Sequence, residues 1–115
     1  TSRVEFSQVL SELKKRTGRI EASFASKLIA TLYPECPIID QFVLKYFDLS
    51  LPHQYERNRE QKIIWLYEIL NKKYLDFMSK STARIICEKF SKKYPWADIT
   101  DLKKVDLVLW QTRGT

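Results

Sequence analysis

The sequence is short of the residues that carry most enzyme chemistry. Among 115 residues there is one histidine, His53, and there are two cysteines, Cys36 and Cys87. A zinc site draws three or four such ligands together. One histidine and two distant cysteines do not make one, so no metal is expected. Two cysteines cannot build a disulfide framework either. Reduced thiols in a cytosolic protein, packed as small apolar side chains, are the simpler reading. A serine or cysteine hydrolase would need His53 as its base. Leu51-Pro52-His53 reads as a loop, and nothing places a nucleophile beside it. Glycine occurs twice and proline four times. That excludes a Gly-rich phosphate loop and a collagen-like or Gly-rich β architecture, and no cofactor is expected. No apolar run approaches the ~18 residues that span a bilayer, and no signal peptide is visible, so no membrane partner is expected. The chain starts at Thr1, which is compatible with a piece of something longer.

What is present points to a folded, basic, helical domain. Hydrophobic residues make up 44% and charged residues 30%, with aromatics at 13%, an ordinary balance for one globular domain over 1–115. Lys and Arg number 20 against 14 Asp and Glu, a net charge of +6. Such an excess suits nucleic acid or another polyanion, and it also occurs in basic proteins with no such partner.

The dominant period is helical. Phe6, Val9, Leu10 and Leu13 fall on one face of a first helix, with Ser2 as a possible cap and Lys14-Lys15-Arg16-Thr17-Gly18 at its end. A second helix carries Ile20, Phe24, Leu28, Ile29 and Leu32 on its expected buried face. Pro34 and Pro37 bracket a break. Asp40 then has the position of an N-cap for a short third helix with Val43, Leu44 and Phe47. A long fourth helix is expected from about Gln54 to Met78, with Ile63, Leu66, Tyr67, Leu70, Tyr74 and Phe77 as its stripe. Ser81 can cap a fifth with Ile85, Ile86, Cys87 and Phe90, stopped by Tyr94-Pro95-Trp96. Thr100 can cap a last helix, Asp101 to Thr112, with Leu102, Val105 and Leu109. No strand, repeat or low-complexity run is evident. The fold class is all-α, about six helices joined by short loops.

One stretch is more specific. Gly18 to Leu49 reads GRIEASFASKLIATLYPECPIIDQFVLKYFDL. It resembles the active-site segment of the helix-hairpin-helix DNA glycosylases, the superfamily of endonuclease III and 8-oxoguanine glycosylase. In that family a hairpin glycine leads into a helix with small residues, then a loop, then a Pro-apolar-apolar-Asp element whose Asp caps the next helix and is the catalytic carboxylate. Pro37-Ile38-Ile39-Asp40 looks like that element, Gly18 like the first hairpin glycine, and Ala25 and Ser26 like the small residues. The closing Asp106-Leu107-Val108-Leu109-Trp110 is similar, more loosely, to the last apolar helix of 8-oxoguanine-glycosylase-like domains. The departures are as definite. The second hairpin glycine is Ile20 and the preceding proline is Thr17. The positions where bifunctional members carry a nucleophilic lysine are Glu21 and Ala22, and Lys27 lies about a turn and a half further along.

The resemblance implies a DNA-binding protein, degenerate or truncated relative to the family. Asp40 would be a vestigial or monofunctional base-excision carboxylate, with no lyase step. It also implies that Lys14, Lys15, Arg16, Gly18 and Arg19 contact backbone phosphates without reading sequence. Each feature has a plainer reading. Asp40 would serve as a helix cap in any protein, Gly18 as a helix stop, and the basic run as a solvated helix end that complements the dipole. Lys72-Lys73, Lys92-Lys93 and Lys103-Lys104 read as solubility charges. Trp65, Trp96 and Trp110 read as core or core-edge anchors. The loop Leu51 to Arg59 interleaves His53, Tyr55, Arg57 and Arg59 as an exposed connection does, and as a single-strand binder also does. The competing class is a non-enzymatic helical domain that binds a protein partner or regulates a larger enzyme.

Overall fold

A computed structural model describes residues 3–111 of the chain. They form six helices: α1 (Phe6–Thr17), α2 (Ala22–Leu32), α3 (Gln41–Tyr46), α4 (Arg59–Met78), α5 (Ser81–Lys93) and α6 (Asp101–Gln111). No strand occurs among the described residues. The molecule measures 44 × 36 × 22 Å. A helix with its side chains is about 10–12 Å across, so the chain makes a slab about two helices thick. α4 packs against α1 and α5; α1 also packs on α2, and α6 on α3 and α5.

Local signals account for most helix ends. The expected cap Ser2 lies outside the described residues. Glu5 is the N-cap of α1, and its amide donates to the Gln8 side chain at 2.8 Å. Gly18 ends α1 at φ 76°, donating its N–H to the Lys14 carbonyl at 2.8 Å. The left-handed region is easy only for glycine. Asp40 caps α3, taking the amides of Phe42 and Val43 at 2.9 and 3.3 Å. Thr100 caps α6 by accepting the Lys103 amide at 3.2 Å. α4 begins at Arg59 rather than Gln54. The turn His53–Glu56 closes on itself (Glu56 N to His53 O, 2.9 Å), and Asn58 then adopts a left-handed conformation at φ 55°, so the helix cannot start earlier.

The stripe expected for α4 is buried in full, from Ile63 to Phe77. It meets Phe6 and Leu10 of α1, Val43 and Leu44 of α3, and Val105 and Leu109 of α6 in one hydrophobic cluster. Phe6 stacks on Tyr67 with ring centroids 4.0 Å apart.

Four expectations are corrected. On α2 the expected face holds only in part: Ile29 is buried and Ile20 packs against the core, but Phe24, Leu28 and Leu32 are 52%, 39% and 57% exposed, and Ala22, Ala25 and Ser26 are buried in their place. The Ile39 amide reaches the Ser26 hydroxyl at 2.8 Å, and small side chains line the helix at that approach. On α5 the inward face is Ala83, Ile86, Cys87 and Phe90, so Ile85 turns out to solvent. The tryptophans are not core anchors. Trp65 and Trp96 are 63% and 78% exposed, and Trp110 lies at the surface of α6. Both cysteines are half-buried rather than buried.

Candidate functional site

The site is built on α2 and on the extended segment that follows it. Ser26 is fully buried on α2. Its hydroxyl donates to the Ser23 carbonyl at 2.7 Å and accepts the Ile39 amide at 2.8 Å. From the other side, the Tyr67 hydroxyl of α4 donates to the Pro37 carbonyl at 3.0 Å. Pro37-Ile38-Ile39 is thus pinned between two helices, and Asp40 leaves it in a defined place at the start of α3.

Asp40 has polar company that sequence spacing did not suggest. Tyr74 of α4, buried at its ring, donates its hydroxyl to Asp106 Oδ1 of α6 at 2.7 Å. Lys103 stands 3.8 Å from Asp106 Oδ2. Burial pushes the Asp106 carboxyl above the usual range. The Tyr74 hydrogen bond and the Lys103 charge oppose that push, and the negative charge of Asp40 adds to it. The Tyr74 phenol is raised well above the ordinary tyrosine value, by burial first and by Asp106 next, with Asp40 contributing. Asp40, the N-cap of α3, and Asp106 of α6 thus stand on two helices that pack together. Asp106 also borders a groove of about 660 Å³ shared with Lys27, Ile38, Leu102 and Lys103. Lys27 faces this groove, and Asp40 lies outside its lining. The signal for Asp106 and Tyr74 was present in the sequence. Each is a polar group on a helix whose neighbours form a buried stripe, and such groups need partners.

The basic turn is exposed throughout. Lys14, Lys15, Arg16, Thr17, Gly18 and Arg19 all lie at the surface. Thr17 locks the turn with its hydroxyl, which donates to the Leu13 carbonyl at 2.8 Å and accepts the Arg19 amide at 3.1 Å. Arg16 pairs with Glu12 at 2.9 Å and Lys14 with Glu60 at 3.8 Å. Exposed pairs of this kind are worth about 0–1 kcal/mol and yield readily to a phosphate. Lys15 and Arg19 have no ion-pair partner among the described residues. The N-cap of α2 is Glu21, and no side chain caps the helix.

Comparison with protein families, curated proteins and solved structures gives no match. The site must stand on its own geometry. No group of three or more His, Cys, Asp or Glu among the described residues could hold a metal ion, and no helix among them is long and apolar enough to cross a membrane. Glu21 is the N-cap of α2 and Ala22 its first residue.

Proposed function

We propose that this chain is a DNA-binding domain laid out like those of the helix-hairpin-helix DNA glycosylases, with a monofunctional or vestigial base-excision carboxylate at Asp40. One observation carries the reading. The helix that opens at the basic turn also anchors the Asp40 segment through Ser26. Ser26 lies four residues into α2, about 6 Å of helical rise from its start.

The chemistry follows from the residue types. Breaking a glycosidic bond leaves positive charge on the sugar. A fixed carboxylate stabilises that charge or takes a proton from the attacking water. Asp40 is held by two backbone amides, so it need not reorganise as charge develops. Without a lysine at 21 or 22, no Schiff base forms and hydrolysis is the only route the residues support. The turn supplies affinity without sequence preference.

The test is fluorescence anisotropy of short duplex DNA, intact and carrying an abasic-site analogue, at two salt concentrations. Salt-sensitive binding that favours the abasic analogue is expected. No binding at low salt overturns the reading.

The exposed stripe Phe24, Leu28 and Leu32 favours a second reading, a helical domain whose partner is a protein. An apolar interface of that kind would keep its affinity as salt is raised, whereas phosphate binding falls steeply.

A further inference from the structure

Trp96 is the most exposed tryptophan of the chain, at 78%. It is not a loose side chain. The turn that carries it is closed by the Ala97 amide donating to the Tyr94 carbonyl at 3.0 Å, and Pro95 fixes the backbone between the two rings. The Tyr94 ring meets the indole edge-on, with centroids 5.8 Å apart and planes at 76°. Phe90 supports Tyr94 in turn, at 5.0 Å. This ladder starts on the inner side of α5 and ends in solvent, so the indole is presented outward rather than folded onto the protein. Exposing a ring of this size forgoes a large apolar burial. Lys93 reaches over the Tyr94 ring at 5.7 Å. Lys89, Lys92 and Lys93 are exposed and have no ion-pair partner among the described residues. Glu88 and Asp98 are the acids nearest in sequence, so the patch keeps a modest positive excess.

We propose that Trp96, backed by Tyr94 and flanked by Lys89, Lys92 and Lys93, is a stacking platform for unpaired bases of single-stranded nucleic acid. Every base has a π-face that an indole can cover, and lysines beside it can follow the phosphates. This surface is separate from the Thr17–Arg19 turn, and the proposal rests only on the nucleic-acid half of the reading above. Stacking is its main source of affinity, so it depends on bases more than on charge. The same pairing of indole and lysine also occurs at lipid headgroups, which the experiment must separate.

The experiment uses the full chain and two labelled strands of equal length: an oligothymidylate and a base-free strand with the same phosphates. The protein is expected to bind the oligothymidylate about tenfold more tightly than the base-free strand, the scale of a stacked base. Trp96→Ala should erase that difference, leave base-free binding unchanged and keep the melting temperature. Trp96→Phe should restore part of it. Equal binding of both strands by the native protein, or a base preference that survives Trp96→Ala, overturns the proposal. So does Trp96-dependent binding to phosphatidylserine vesicles without base-dependent binding to DNA. Duplex binding that is lost with Lys15→Ala and Arg19→Ala but shows no single-strand base preference would sink the stacking platform alone. Absence of any nucleic-acid binding removes both proposals.

Discussion

The Ser26 hydroxyl and the Ile39 amide, 2.8 Å apart, join the second turn of α2 to the residue before Asp40. Both groups are buried, and Ser26 is the one fully buried polar side chain of the described core. Ser26→Ala keeps nearly the same volume but leaves the Ile39 N–H without its acceptor. A loss of about 1–3 kcal/mol is expected in urea denaturation, with an unchanged m-value. A stability equal to the native protein's would show that the Asp40 segment does not depend on this hydrogen bond.

Asp40 can be separated into cap and carboxylate. Asn caps a helix about as well as Asp, whereas Ala costs about 1 kcal/mol. Asp40→Asn should therefore unfold with the native protein and Asp40→Ala at lower denaturant. On any oligonucleotide from which the native protein excises a base, Asp40→Asn should be inactive. Full excision by that variant would leave Asp40 as a cap alone.

The basic turn predicts a change in salt dependence rather than in sequence preference. Lys15→Ala with Arg19→Ala removes the two turn cations that have no internal partner. Duplex affinity should fall uniformly across sequences. The slope of log K against log salt should flatten by about 0.9 for each phosphate that is no longer neutralised. An unchanged slope in anisotropy titrations would take the turn off the binding surface.

Asp106 predicts a pH signature. Its carboxyl holds its proton more tightly in the folded protein than in the unfolded chain, chiefly through burial. Ionising it therefore costs folded-state stability. The cost is absent below the ordinary carboxylate value, grows as pH rises toward the raised folded value, and is complete above it. Asp106→Asn keeps an acceptor for Tyr74 and removes that titration. The variant should gain stability relative to the native protein between acid and neutral pH. Denaturant melts of both proteins at each pH check this, and a relative gain toward acid would contradict it.

Gly18 isolates backbone strain. A Cβ there would meet nothing within 4 Å, but φ is 76°. Gly18→Ala should cost about 1–2 kcal/mol for the left-handed conformation, and Gly18→Asn less. Thermal melts of the two variants give the comparison.

Much of the candidate site could be read one segment at a time. Pro37 to Asp40 before Gln41-Phe42-Val43 announces a cap, because an Asp followed by helix-forming residues takes their free amides. Gly18 after a run of cations announces a helix end, and cations at a helix end stay in water. Asp106 and Tyr74 escaped that kind of reading. Their pairing depends on α4 and α6 meeting side by side, and no local rule gives the rotation of one helix against another. The same limit applied to Trp96. Aromatic content suggested burial, and only the packed fold shows the Trp96 indole in solvent.

By itself the sequence determined the number and order of the helices, most of their ends and the full inward stripe of α4. These depend on backbone sterics, caps and a period that one segment carries alone. Which face of α2 turns inward was decided by the tertiary structure. Ile29 belongs to both the expected and the observed inward face; beside it, a large set of Phe24, Leu28 and Leu32 competes with a small one of Ala22, Ala25 and Ser26. Hydrophobicity favours the first. The Pro37–Asp40 segment passes against α2 closely enough for the Ile39 amide to reach Ser26, and that approach admits only the second. Close packing of backbone on helix outweighed the greater apolar area. The exposed stripe and the fixed position of Asp40 are two consequences of the same close approach.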